Sequence, residues 1–181
     1  MKTSKIKMLV LAALFAALTA VLSQIIIPLP FTPVPINLAT LAVFLAGALL
    51  GPKWGTISMC VYVALGLVGL PVFASLQGGF GVLAGPTGGY IVGYILAVAL
   101  VGIIVDYSKK KIWIYPVAMV AGLAGCYLLG TIWYTISMQT NFIVALAACV
   151  VPFLIGDALK IIAASLLSAK LRKILDKQRG E

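Results

Sequence analysis

The sequence contains no histidine, and only four of its 181 residues are acidic. The lack of histidine excludes zinc sites with imidazole ligands, Ser-His-Asp catalytic triads and histidine proton relays. Cysteine is also scarce, because Cys60, Cys126 and Cys149 are its only occurrences and lie far apart in apolar runs. Such cysteines are typically small buried hydrophobic residues rather than metal ligands. We therefore expect neither a metal centre nor a bound cofactor.

Charge of either sign is rare, since charged residues make up 9% of the chain and hydrophobic residues 63%. Soluble domains are about one quarter charged, so this composition predicts an all-α integral membrane protein. The first apolar stretch, residues 8–27, is too long for the core of a signal peptide and matches the ~20 residues of a spanning helix. We interpret it as a first transmembrane helix that the protein retains.

Six apolar segments predict six transmembrane helices in a single membrane domain, residues 1–181. The segments are residues 8–27, 36–50, 54–70, 88–105, 113–138 and 152–171. Only "GPKW" separates the second from the third, but fusing them would give a helix of about 52 Å, against a hydrocarbon core of about 30 Å. The dipeptide Gly51-Pro52 also favours a helix end at this point.

The distribution of basic residues predicts that both termini lie in the cytoplasm. With six spans, twelve of the thirteen basic residues fall in cytoplasmic segments, and the three outer loops carry no charge. The twelve are Lys2, Lys5, Lys7, Lys53, Lys109, Lys110, Lys111, Lys170, Arg172, Lys173, Lys177 and Arg179. This asymmetry is the positive-inside pattern of membrane proteins. The net charge of +9 is therefore interpreted as an anchor to the inner leaflet of the lipid bilayer and not as a nucleic-acid surface.

One charged pair is left unexplained by topology: Asp157 and Lys160 in "VPFLIGDALKIIAASLLS". If the last span begins at Pro152, after a short surface helix over residues 141–151, the pair lies about 8–12 Å below the outer end of that span. Residues at positions i and i+3 share one helix face, and buried charge is costly in a membrane. The pair therefore predicts a polar site inside the bundle, although an ion pair that merely joins helices is the structural alternative.

The outer loops are rich in proline and glycine. The first, "IPLPFTPVPIN", predicts a stiff segment across the mouth of the bundle, or else a plain linker. The second, "GLVGLPVFASLQGGFGVLAGPTGGYIVGY", would let backbone amides approach a ligand closely. Its "GFGVLA" lacks the βαβ context of a dinucleotide site, and "GPKWGTIS" lacks the GK[ST] of a phosphate-binding loop. The chain is therefore not expected to hydrolyse ATP by that route.

Small residues recur at a spacing of four in the first helix, in "AALFAALTA". Such spacing lets two helices approach closely. The alanines form either an internal packing face or a docking face for another membrane subunit, and we list them as candidate interface residues: Ala12, Ala13, Ala16, Ala17 and Ala20.

Three segments together resemble a known family: "PLPFTPVPINLATLAVFLAGALLGPKWG", "GLPVFASLQGGFGVLAGPTGGYIVGY" and "VPFLIGDALK". They are similar to the biotin-specific substrate-binding subunit (S component) of energy-coupling factor (ECF) vitamin transporters, over nearly the whole chain. The resemblance implies a multi-pass protein of a prokaryotic cell membrane that captures biotin from outside with high affinity. It also implies three partners, a transmembrane coupling protein and two cytoplasmic ATPases, and release of biotin inward when the bundle topples.

The resemblance implies a biotin site that contains Asp157, Lys160 and Gln77. Asp157 would accept hydrogen bonds from ureido N–H groups, and Lys160 would meet a carboxylate or a polarised carbonyl. Gln77 and the amides of Gly78 and Gly79 would meet the other end of biotin, and Tyr90 would pack on its rings. The orientation of biotin stays open. Relatives commonly carry glutamine where this chain has Ala39 and proline where it has Ile155, and some carry a basic residue where it has Ile91.

Two other classes of function were weighed. A free-standing secondary transporter of a small vitamin-like solute usually shows internal repeats, and we detect none in this sequence. The run "LIGD" partly matches the GxGD of intramembrane aspartyl proteases, but Leu154 replaces its first glycine. A carboxylate dyad also needs two acids, whereas only Asp157 is predicted within the membrane. We therefore expect a binding subunit and not an enzyme.

Overall fold

The computed structural model of the protein describes residues 5–108 and 111–179, with side chains up to Arg172. The predicted cytoplasmic residues Lys2, Lys109 and Lys110, and the side chains of Lys173, Lys177 and Arg179, lie outside the described part. The helices are α1 (Lys5–Ser23), α2 (Ala39–Leu67), α3 (Phe80–Ala84), α4 (Gly88–Tyr107), α5 (Ile114–Met138), α6 (Phe142–Cys149) and α7 (Leu154–Arg179). Two short strands, β1 (Ile26–Ile27) and β2 (Ile36–Asn37), and 3-10 turns at Ala74–Leu76 and Val151–Phe153 complete the chain.

Helix α2 is broken at the predicted Gly51-Pro52 stop. Gly51 has φ 77° and ψ −178°, a conformation that is essentially restricted to glycine. A Cβ built on Gly55 would lie 3.2 Å from the carbonyl oxygen of Ala46, although positions nine residues apart in a straight helix are about 13.5 Å apart. The chain therefore folds back on itself at Gly51. We call residues 39–50 the first arm of α2 and residues 52–67 its second arm.

Within the described residues, five helical segments are long and apolar enough to cross a membrane, by length and composition. This count treats α2 as one segment and Phe142–Arg172 as another. The all-α membrane class is thus supported, while six spans with cytoplasmic termini stay a prediction.

Most predicted boundaries differ from the observed ones, and three of the differences lie beside the loops over residues 24–38 and 68–87. Helix α1 ends at Ser23, four residues before the predicted end, because Ile26–Ile27 pairs in antiparallel register with Ile36–Asn37. For the same reason the second apolar segment becomes helical only at Ala39. The second arm of α2 ends at Leu67, three residues before the predicted residue 70. A two-residue strand is too short to produce an alternating pattern, so the sequence could not predict this pairing.

The core lies between α2, α4 and α5, where Val43, Phe44, Val98 and Met119 are fully buried. These helices approach each other closely because small residues lie where they meet. A Cβ on Gly102 of α4, for example, would come within 2.4 Å of the Pro52 nitrogen. Helix α1 and the Phe142–Arg172 segment are the most exposed, with 28% and 22% of their apolar windows buried. They therefore present most of their apolar surface to the surroundings.

The two ends of the bundle differ in structure. At one end, which we call the hairpin end, the Gly51 turn lies against Asp106 of α4, and the Arg172 guanidinium donates to the Ala48 carbonyl at 3.1 Å. At the opposite end, which we call the cavity end, the loops over residues 24–38 and 68–87 and Cys149 of α6 line one cavity. When the two arms of α2 are counted separately, consecutive long helices run in opposite directions between these two ends.

Candidate substrate-binding site

A cavity of about 220 Å³ lies at the cavity end of the bundle. Its wall is formed by both arms of α2, by α4, α5 and α7, and by two loops. The proline-rich loop contributes seven lining residues: Pro28, Leu29, Thr32, Pro33, Val34, Pro35 and Asn37. Thr32 is buried, and its hydroxyl lies 3.5 Å from the Cys149 sulfur of α6. The loop is therefore part of the cavity wall and not a plain linker.

Asp157 and Lys160 form an ion pair at the edge of this cavity. The Lys160 Nζ atom lies 2.7 Å from Asp157 Oδ1, and the side chains are 8% and 3% exposed, respectively. They occupy the first two turns of α7, which begins beyond the Val151–Phe153 turn as expected for a proline at residue 152. Both residues line the cavity, so the charged face of α7 is directed into the bundle.

Two uncharged side chains from other helices complete this polar floor. The Thr40 hydroxyl, from the first arm of α2, accepts from Lys160 Nζ at 3.2 Å and donates to Asp157 Oδ1 at 3.3 Å. The Tyr127 hydroxyl, from α5, donates to Asp157 Oδ2. We call Asp157, Lys160, Thr40 and Tyr127 the polar floor. It joins three helices through one buried carboxylate.

The polar floor retains unused hydrogen-bonding capacity. An ammonium group has three donors, and two of those on Lys160 meet Asp157 and Thr40. A carboxylate oxygen accepts about two hydrogen bonds, and within the described residues Asp157 Oδ2 has one donor, Tyr127. Among the described residues, one Lys160 donor and one Asp157 acceptor therefore remain without a partner, on two side chains that line the cavity.

The other predicted site residues divide into two groups. Gln77 and Tyr90 line the cavity, whereas Gly78 and Gly79 are not among the residues that line it. The Gly79 N–H donates to the Gly66 carbonyl at 2.7 Å, and a Cβ on Gly78 would lie 2.2 Å from the Leu70 carbonyl oxygen. These two glycines thus permit the fold of the loop, and their contact with a ligand stays a prediction.

Aromatic side chains form much of the remaining wall, and the sequence singled out one of them, Tyr90. Its hydroxyl pairs with that of Thr131 at 3.2 Å. Tyr62 and Tyr94 also line the cavity, and their ring centroids lie 6.4 Å apart. Phe73 meets Tyr62 edge-on, with centroids 5.6 Å apart. These rings offer flat apolar surfaces to a ligand.

Sequence reasoning missed Thr40, Tyr127, Tyr62 and Tyr94 as cavity residues. Each is a hydroxyl-bearing side chain in an otherwise apolar helix. Thr40, Tyr62 and Tyr94 lie near the end of their helix at the cavity, and Tyr127 lies in the middle of α5. Polar residues inside membrane helices usually face the bundle interior. That signal was present, but the sequence contains other hydroxyl residues in similar positions, and only the fold separates them.

The alanines of α1 do not share one environment. Ala12 and Ala16 are 2% exposed and belong to the core, and the Ser58 hydroxyl of α2 donates to the Ala12 carbonyl at 2.7 Å. Ala13 and Ala17 lie on the exposed face of α1, and Ala20 is half-buried. In this state of the chain, a partner helix could contact the Ala13 and Ala17 stripe but not the Ala12 and Ala16 stripe.

A bundle of long apolar helices thus surrounds a cavity with a charged floor. The sequence profile of the BioY family matches residues 1–177. A relative from Thermotoga maritima named "Biotin transporter BioY" is 39% identical over 173 residues, which cover 93% of this chain and 97% of the relative. A "Biotin transporter BioY" from Lactococcus lactis is 33% identical over 175 residues, covering 93% and 92%.

A solved structure has the same fold. It is described as the "S-component for biotin from an ECF-type ABC transporter", and it matches with a TM-score of 0.89 and 31% identity over 96% of this chain and 94% of the other. The chain belongs to the BioY family. The names of its relatives describe transporters, in agreement with the prediction that the chain is not an enzyme.

Proposed function

We propose that this protein is the biotin-binding S component of an ECF-type transporter. It captures biotin from outside with high affinity and releases it inward when coupled to an ATP-hydrolysing module. The observation that carries the proposal is the polar floor of a largely aromatic and apolar cavity, with one donor and one acceptor unused. Family membership and the names of the relatives indicate biotin as the solute that meets them.

The cavity end faces the outside in this proposal. Its loops, residues 24–38, 68–87 and 139–153, contain no charged residue, whereas Lys53, Asp106 and Arg172 belong to the hairpin end. This asymmetry follows the positive-inside rule. Because the two arms of α2 fold back on each other at Gly51, we count them as two spans. The protein then has six spans, with both termini in the cytoplasm of a prokaryotic cell.

The energy for transport comes from partner proteins in this proposal. The sequence has no phosphate-binding loop of its own, so ATP hydrolysis requires separate subunits, which we take to be two cytoplasmic ATPases. A transmembrane coupling protein connects them to this chain. Its contact surface includes the exposed Ala13 and Ala17 stripe of α1, since small residues permit close helix contact.

The unused groups of the polar floor favour one orientation of biotin. A urea presents an N–H donor beside a C=O acceptor, which matches the free acceptor of Asp157 and the free donor of Lys160. A carboxylate offers acceptors alone and would bring its negative charge against Asp157. We therefore propose that the ureido ring contacts the polar floor. The carboxylate tail points toward the Gln77 loop, and Tyr90 packs on the thiophane ring.

Calorimetric titration of biotin into biotin-free protein in detergent tests the proposed function. We expect tight one-to-one binding by the wild type and loss of binding in the Asp157→Asn variant, which keeps its shape but lacks the charge. Tight binding by a folded Asp157→Asn protein would show that the pair has a structural role and no role in binding. A folded wild type that ignores biotin would overturn the substrate assignment.

Biotin methyl ester tests the orientation, because it keeps the urea and lacks the carboxylate charge. If the urea contacts Lys160, a Lys160→Met substitution lowers the affinity for biotin and the affinity for the ester by the same factor. If the carboxylate contacts Lys160 instead, the wild type binds the ester more weakly than biotin. The substitution then lowers the affinity for biotin and leaves the affinity for the ester unchanged.

A further inference from the structure

The loop that brings Gln77 to the cavity has an unusual backbone. Two consecutive residues, Ser75 (φ 60°) and Leu76 (φ 55°), are in the left-handed region. Residues other than glycine are rarely found there, and each such conformation persists only where its surroundings enforce it. The next residue, Gln77, lines the cavity together with Ser75. The backbone strain therefore lies directly beside cavity residues, and something must maintain it.

Packing restrains the beginning of this loop but not its strained centre. Phe73 is 1% exposed and fits a notch at Gly66, where an added Cβ would come within 2.0 Å of the Phe73 ring. Phe73 and Gln77 exchange two backbone hydrogen bonds, of 2.9 and 3.3 Å. Leu76, in contrast, is 68% exposed. Burial of its side chain therefore cannot account for its left-handed conformation.

A side chain outside the cavity meets the strained centre. The Gln24 Oε1 atom, one residue beyond α1, accepts from the Leu76 N–H at 2.9 Å. Its Nε2 atom donates to the Phe73 carbonyl at 3.0 Å and contacts the Val72 carbonyl at 3.3 Å. The Ser23 hydroxyl binds the same loop segment by donating to the Val72 carbonyl at 2.7 Å. One amide group thus holds both sides of the turn.

The chemistry of this contact requires a carboxamide. The Leu76 N–H donates to Gln24, and the Phe73 carbonyl accepts a second hydrogen bond from it, so the oxygen and the nitrogen of Gln24 each have a fixed place. A glutamate would set a carboxylate against two carbonyl oxygens, and a leucine would provide neither group.

We propose that Gln24 is a positioning residue for the substrate site. It maintains the strained turn at Ser75 and Leu76, and so keeps Ser75 and Gln77 directed into the cavity without touching the ligand. This inference deepens the proposed function and rests on it, because biotin is the ligand used to detect the effect. Loss of Gln24 leaves the cavity intact but reduces the fraction of molecules whose loop is ready to bind.

The first test compares Gln24→Leu with a matched control, Gln139→Leu, which removes an exposed amide from the α5–α6 connection. If the binding-competent loop falls to about one tenth of molecules, the dissociation constant for biotin rises about tenfold. Hydrogen exchange of residues 74–78, measured without biotin, should become faster in Gln24→Leu alone. Equal affinity and equal exchange in Gln24→Leu and the wild type would overturn the proposal.

A rescue experiment separates positioning from a general structural role. Glycine adopts the left-handed region without penalty, so Leu76→Gly, which changes no cavity-lining residue, should restore most of the affinity lost in Gln24→Leu. Leu76→Gly would not correct a general defect in folding. Failure of the rescue in a folded double variant would refute the proposal. Should Gln24→Leu not fold, Gln24→Asn, which shortens the reach of the same amide, replaces it. If the wild type ignores biotin, the proposed function fails, while the exchange measurements still test whether Gln24 holds the loop.

Discussion

Helix α7 makes a polar contact with the first arm of α2 at each end of the bundle, and the two contacts differ in kind. At the cavity end, Lys160 meets Thr40 and the carboxylate of Asp157. At the hairpin end, Arg172 donates to the backbone carbonyl of Ala48. The two cations are twelve positions apart, or about 18 Å along the helix. Each joins the same two helices, yet one lines the cavity and the other does not.

The difference shows how a binding charge can be told from a structural one in such a bundle. Ala48 lies at the C-terminal end of the first arm, where carbonyls have no partner in the helix and carry partial negative charge. Arg172 satisfies one of them and so completes the Gly51 turn. The polar floor keeps a donor and an acceptor unused at a cavity, which is the arrangement that a ligand requires. Burial also differs, since Lys160 is buried and Arg172 only partly buried.

The largest expected effect comes from removing one charge of the buried pair. Lys160→Met leaves Asp157 without its cation and should lower the free energy of unfolding by about 3–5 kcal/mol. In the double variant Asp157→Asn/Lys160→Met no unpaired charge remains, so most of that stability should return. Denaturant or thermal unfolding in detergent, in the absence of biotin, measures both.

Both variants should bind biotin far more weakly than the wild type, although the double variant is nearly as stable as the wild type. That combination would show that the pair exists for binding and not for stability. A double variant as unstable as Lys160→Met would instead indicate that the pair is needed to hold α7 in place.

An intermediate effect is expected at the hairpin end. Arg172→Gln removes a charge-assisted hydrogen bond to a helix terminus, which we expect to cost about 1–2 kcal/mol because the group is only partly buried. The affinity for biotin should not change. Unfolding and calorimetry on the same sample provide the check, and weaker binding in Arg172→Gln would remove the distinction between the two ends.

The smallest effect should come from Tyr127→Phe, which removes the donor to Asp157 Oδ2 without changing the shape of the wall. The carboxylate keeps Lys160 and Thr40 but loses one orienting contact, worth about 1 kcal/mol. The dissociation constant for biotin should rise about fivefold. A value as weak as that of Asp157→Asn would mean that Tyr127 contacts biotin itself.

Part of the site could be predicted because it rests on local patterns. Asp157 and Lys160 are the only charges not explained by topology, and their spacing of three places them on one helix face. The break at Gly51-Pro52 follows from backbone sterics of adjacent residues. Both features require knowledge of a few consecutive residues and nothing about the rest of the chain.

Other parts could not be predicted because they join residues far apart in sequence. Thr40 contacts Asp157 across 117 positions, and Gln24 contacts Leu76 across 52. Each is an ordinary polar residue when the sequence is read along one helix. The alanines of α1 show the same limit, since their spacing predicts a close contact but does not say whether α2 or a partner makes it.

The sequence by itself determined the membrane class, the helix break, the charged pair and the family, because composition, local backbone preference and residue order carry them. Only the tertiary structure decided which uncharged side chains surround the pair and that Gly78 and Gly79 shape their loop. It also decided that Gln24 restrains a turn it is not adjacent to. The physical reason is that hydrogen bonds and packing act over a few ångströms in space, and only folding brings these distant positions within that range.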